Sequence, residues 1–319
     1  MLGFEDAFIR KFENKNYLSG KANHIRVPSN KVKGFNFEYV LIVPEKINNI
    51  SRIILEGMNY STDKKFTEEE GIEYIYETSK SFRHPIHYCN SEANNCILIP
   101  LIPRYYDENL EMEVYTNQLA STCFLDNIKD KYLRIDNQIV NMIQDAKEKL
   151  KKNNIIIKDK IIIEGFSASG KFANRFTLIH PEIVDLCIAG GLAGTLILPL
   201  KELKGEELIY PVGIANIKEI DENKIEQFKK INQFYYFNTR DRIDSFAKVN
   251  KEPLFKGIIL KNELDLLYKV LGTKPKDRWK KSKEVYKNFK NITFKEYDEE
   301  HKYNFQIMEY IKELINNEI

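Results

Sequence analysis

The chain has 319 residues, 43% hydrophobic and 30% charged, a globular rather than a disordered composition. Its 49 basic and 47 acidic residues leave a formal net charge of +2, which excludes both a basic nucleic-acid footprint and an acidic tail. No stretch reaches the roughly 18 apolar residues that cross a bilayer. The opening Met1-Leu2-Gly3-Phe4-Glu5-Asp6 also lacks the basic and apolar regions of a secretion signal. The expectation is a cytoplasmic protein with no nucleic-acid and no membrane partner.

Taken in chain order, short apolar runs alternate with helix-period segments. Residues 24–27 and 37–43, with Gly34 between them, read as neighbouring strands that pair as an antiparallel edge. Further strands are predicted at 53–55, 96–102, 161–163, 184–189, 234–237 and 292–297. They are rich in Ile, Val and aromatics, as strands buried on both faces should be. Ile135, Ile139, Met142, Ile143, Ala146 and Leu150 follow the spacing of one buried helix face. Leu260, Leu264, Leu267, Tyr268 and Leu271 do the same, with Gly272 as the stop, and Phe305, Met308, Ile311 and Ile315 mark a last amphipathic helix. The charge runs at 68–70 and 147–152 read as solvated helix faces.

This alternation predicts an α/β fold, a mostly parallel central sheet with helices on both faces. The whole chain, 1–319, is expected to form one domain, with 191–233 as a small cap or insert. That segment is longer than an ordinary connection. Its apolar runs at 192–200 and 210–215 either pack on the sheet or line a pocket for an apolar acyl group. Cys89, Cys96, Cys123 and Cys187 lack paired metal-ligand spacing. Cys187 reads as a small buried hydrophobe, and a Cys89–Cys96 disulfide is disfavoured in a reducing compartment. No metal or organic cofactor is implied.

The most informative stretch is Gly165-Phe166-Ser167-Ala168-Ser169-Gly170, placed between an all-apolar strand and a helix. It matches the nucleophile elbow G-x-S-x-G, with Ser169 at the second glycine position. Such a turn strains the nucleophile's backbone and needs small neighbours. The helix N-terminus then points its dipole and N–H groups at the place where an oxyanion forms. A plain serine N-cap is the competing reading. Gly165 to Lys171 also approximates a phosphate-binding G-x-x-x-x-G-K, but Phe172 stands where Ser or Thr must hold Mg²⁺. Gly190-Gly191-Leu192-Ala193-Gly194 lacks dinucleotide-binding spacing and reads as a loop.

A serine nucleophile needs a base, and the base an orienting acid. On this kind of elbow they follow in the order serine, acid, histidine. His301, after the last strand, fits the base; His24, His84 and His87 come too early, and His180 before Pro181 reads as structural. Asp241 is the preferred acid and Asp244 the alternative, though either could cap a helix or pair with Arg240 or Arg242. An oxyanion hole would use the backbone N–H of Ala168 with that of Met58 or Asn59, in the loop opened by Gly57.

On these residues the chain resembles the α/β-hydrolase superfamily over about 35–315. Gly165 to Phe176, followed by His180-Pro181-Glu182, resembles bacterial esterases and polyhydroxyalkanoate depolymerase-like hydrolases. So do the stretch 210–215 and the Asp241/Asp244 pair. The departures are Ser169 and a Glu56-Gly57-Met58-Asn59 loop in place of an HGGG-type one. The resemblance implies catalytic roles for Ser167, Asp241 and His301 and a small-molecule ester or acyl substrate. It leaves the acyl group open. A small serine peptidase and a non-catalytic binding protein of the same fold are the alternatives.

Overall fold

The computed structural model describes residues 22–47, 51–57, 59, 66–80, 85–125, 128–249 and 259–317. Its central sheet is built from β1 (Ala22–Val27), β2 (Tyr39–Pro44), β3 (Ile53–Glu56), β4 (Cys96–Pro100), β5 (Ile161–Phe166), β6 (Val184–Gly190), β7 (Asn232–Asn238) and β8 (Ile292–Tyr297). The spatial order is β1-β2-β4-β3-β5-β6-β7-β8. β1 pairs antiparallel with β2, and β2 with β4. All later pairs are parallel. The expected mostly parallel sheet with an antiparallel edge is therefore what the chain forms.

Side chains alternate between the two faces of each strand. Ile53 and Leu55 enter one apolar cluster and Ile54 the other; Ile161 and Ile163 separate from Ile162 in the same way. Both faces are covered, so β3 and β5 are buried at every position, while the edge strand β1 alternates between half-buried and exposed sites up to buried Val27. One face carries α3 (Ile135–Lys152), α4 (Ala168–Ile179), α5 (Glu222–Phe228), α7 (Lys261–Leu271) and α8 (Pro275–Tyr286). The other carries α1 (Glu68–Ser79), α2 (Pro85–Cys89) and α9 (Phe305–Asn317). A short α6 (Ser245–Lys248) follows β7. All six apolar positions named for α3 are buried, and Gly272 ends α7 at φ 100°.

The segment 191–233 holds a short hairpin, Glu202–Leu203 with Glu206–Glu207, and α5. Leu196, Leu198, Leu208, Tyr210, Val212 and Ile214 are fully buried in the core. All four cysteines are buried free thiols. Among the described residues no helix is long and apolar enough to cross a membrane.

Candidate active site

Parallel strands release their loops at one edge of the sheet, and β5, β6, β7 and β8 are consecutive neighbours there. Ser167 follows β5, Asp241 lies three residues beyond β7, and His301 lies four residues beyond β8. The fold thereby collects three residues far apart in sequence. His301 Nε2 lies 2.9 Å from Ser167 Oγ, and His301 Nδ1 lies 2.7 Å from Asp241 Oδ2. The other oxygen of Asp241 accepts from the Ile243 backbone N–H at 2.8 Å. Asp244, the alternative acid, is drawn elsewhere: it caps α6 through the Phe246 N–H and pairs with buried Arg278 at 2.7 Å.

Ser167 sits at φ 63°, ψ −118°, a conformation that a residue with a Cβ adopts only under constraint. Its N–H donates to Gly190 O at 2.9 Å, and its carbonyl accepts from the Lys171 N–H at 3.1 Å. Sterics explain the small neighbours. A Cβ on Gly165 would stand 2.3 Å from Ser169 O, and one on Gly57 would stand 2.7 Å from Ser169 Cβ.

The departure at Ser169 also has a physical account. Its Oγ accepts from the Phe166 N–H at 3.0 Å, donates to Phe166 O at 2.9 Å and accepts from Asn59 Nδ2 at 3.0 Å. Asn59 Oδ1 takes the Ser169 N–H at 3.0 Å. The hydroxyl and the amide together tie the loop after β3 to the elbow. Of the expected oxyanion donors, Ala168 lines the cleft beside Ser167, Asn59 lines it as well, and Met58 lies outside the described residues.

Three residues outside the sequence-derived set hold the His301 loop. Asn238 Nδ2 donates to the carbonyls of Glu300 (2.6 Å) and Lys302 (2.8 Å), on either side of the histidine. Tyr303 Oη donates to Glu164 at 2.8 Å. Glu164 faces Glu56 across the β3–β5 register, and both are buried. Desolvation, then the neighbouring Glu164 charge and hydrogen bond, push the Glu56 carboxyl well above the usual range. Desolvation raises Glu164 too, against hydrogen bonds from Glu56 and Tyr303 that lower it. Both carboxyls are thus raised, Glu56 the more strongly.

The cleft beside Ser167 has a volume of about 160 Å³. Its wall mixes the polar side chains of Asn59, Arg104, Asn117, Gln118, Lys171 and Ser245 with apolar surface from Ala168, Ala193 and Ile243. The runs 192–200 and 210–215, read as candidate pocket lining, contribute Ala193 alone to that wall; Leu196 and Leu198 are core. The 190–194 stretch is more than a connecting loop, because Gly191 and Ala193 face the cleft. Another part of the wall comes from the residues flanking a hairpin not expected from the sequence, Tyr105–Asp107 with Met112–Tyr115: Arg104 before it, and Thr116, Asn117 and Gln118 in the loop after it. In that loop Asn117 (φ 59°) and Leu119 (φ 51°) are left-handed. Buried Arg175 pins it by donating to Gln118 O at 2.9 Å and Leu119 O at 3.3 Å. Residues 103–134 carry no sustained period of either kind, so pattern reading finds nothing to hold there.

His180 is structural, as expected: its Nε2 meets buried Asp136 at 2.9 Å. Burial alone would raise the Asp136 carboxyl, but hydrogen bonds from His180 and Arg134 hold it down at about 2.

The strand order, the antiparallel edge and the sharp turn after β5 define an α/β-hydrolase fold. No protein-family model matches the chain, and no curated protein matches it. Among solved structures it is similar to poly(aspartic acid) hydrolase-1 from Sphingomonas sp. KT-1, at 16% identity over 93% of this chain and 99% of that one, TM-score 0.59. It is also similar to the poly(3-hydroxybutyrate) depolymerase from Bordetella parapertussis, at 11% identity over 92% of this chain and 88% of that one, TM-score 0.55. At these identities the likeness establishes the fold.

Proposed function

We propose that the protein is a serine hydrolase that cleaves a carboxylic ester or related acyl bond through a covalent acyl-enzyme. The observation that carries this reading is the unbroken contact line from Asp241 through His301 to Ser167, 2.7 and 2.9 Å. Ser167 Oγ attacks the acyl carbon as His301 Nε2 takes its proton. Asp241 holds the ring with Nδ1–H toward itself and stabilises the imidazolium. The alkoxide leaves with the proton from His301, and water then repeats the sequence to release the acid. The Ala168 N–H at the start of α4 is the oxyanion donor in this reading, joined by one from Met58 or Asn59. Two structures of similar fold carry the names of a hydrolase and a depolymerase, in keeping with this chemistry. The free buried thiols suit the cytoplasmic setting expected from the sequence.

Fluorophosphonate should label Ser167, as read by peptide mass spectrometry. Ser167→Ala should abolish the label and lower kcat by on the order of 10³-fold or more, with His301→Ala about as damaging. A label on Ser169 or Ser245, or ester turnover that survives Ser167→Ala, would overturn the assignment.

A further inference from the structure

Lys171 and Arg104 put two basic side chains on the cleft wall, and no Asp or Glu is among the described residues that line it. The carboxylates nearby are engaged. Glu113 lies 3.2 Å from Arg104, Asp244 pairs with Arg278, and Asp241 pairs with His301. Lys171 is 5% exposed. Its Nζ donates to Ser245 Oγ at 2.7 Å and sits 4.0 Å from the centre of the Phe246 ring. Among the described residues no carboxylate is within ion-pair distance of it. Burial first, then the nearby Arg175 charge, push its ammonium well below the ordinary range. Asp244 and Asp241 favour the charged form only from beyond ion-pair distance, and an anion docked in the cleft would favour it further.

Position matters as much as charge. Lys171 lies in the first turn of α4, four residues after Ser167, and both line the same cleft. Arg104 lines the cleft from the foot of the hairpin, with its guanidinium 3.2 Å from Glu113. A guanidinium and an amine lining one small space suit a carboxylate. The 160 Å³ volume is below the roughly 300 Å³ at which pockets for drug-sized ligands begin, so the group held beside Ser167 is small.

We propose that this cleft selects acyl groups bearing a carboxylate a few bonds from the scissile carbonyl, such as a succinyl half-ester, with Lys171 and Arg104 as the specificity residues. The proposal rests on Ser167 being the nucleophile.

The test compares three esters of one shape: ethyl hydrogen succinate, its neutral isostere ethyl succinamate, and ethyl 3-phosphonopropionate, each followed by ethanol release. The wild-type kcat/KM should favour the succinate over the succinamate by about 10-fold or more, as a charge-assisted contact implies. Lys171→Met and Arg104→Gln should each reduce that ratio by about 10-fold. A ratio taken within one preparation does not depend on its folded fraction, so partial misfolding of a variant leaves the test intact. Succinamate hydrolysed as well as succinate, or a ratio unchanged in both variants, would refute the proposal. Preference for the phosphonate would refute the carboxylate assignment. A chain that takes no fluorophosphonate at Ser167 and turns over none of the three would instead overturn the serine-hydrolase reading itself.

Discussion

The backbone strain at Ser167 can be weighed by comparing two substitutions at one position. Ser167→Ala and Ser167→Gly both remove the hydroxyl and its contact with His301, so that loss cancels between them. Ala keeps a Cβ at φ 63°, ψ −118°, and Gly does not. Holding a side chain in so sparse a region costs about 1–3 kcal/mol. Against this, glycine loses about 0.5–1 kcal/mol more conformational entropy on folding. The difference leaves Ser167→Gly more stable than Ser167→Ala by about 1 kcal/mol, or roughly 2 °C in Tm for a chain of this size. Urea unfolding, with midpoints read at matched m-values, measures it directly. An alanine variant as stable as the glycine one would refute the argument that the turn stores strain.

Three other outcomes follow from the same structure. Glu56 binds its proton more tightly folded than unfolded, so its contribution is full below its ordinary value of 4.5 and is lost as pH rises through the folded value. Glu56→Gln, permanently neutral, should flatten the fall in urea midpoint between about pH 5 and 8; an unchanged slope would place the proton elsewhere. Leu198→Ala, at a fully buried site, should lose about 2–5 kcal/mol while the acyl chain-length preference stays put. A shifted preference with intact stability would return Leu198 to the pocket. Asn238→Ala should lower kcat by on the order of 10²-fold with little change in KM, because it frees the carbonyls flanking His301. Equal kcat for variant and wild type would show that the loop holds itself.

The sheet was legible in the sequence because strands buried on both faces must be apolar along their length, as residues 53–55, 96–102 and 161–163 are. Helices α3, α7 and α9 were legible because each buries one stripe, and the turn at Ser167 because only small residues fit where strand and helix nearly touch. Those signals are local, set by neighbours a few residues apart. Asp241 and Asp244 share one loop and one composition, and no local signal separates them. Contact with His301, 60 residues on, singles out the first, and Arg278, 34 residues on, claims the second. Ser169 departs from the elbow pattern, and its acceptors and donors are visible only once Asn59 lies against the turn. The cleft wall is the same case: Arg104, Asn117 and Lys171 carry no shared period, and the hairpin and α4 meet only in the folded chain. Periodicity and turn chemistry act along the chain, whereas the pairing of side chains depends on distance in space, which sheet order and loop packing decide.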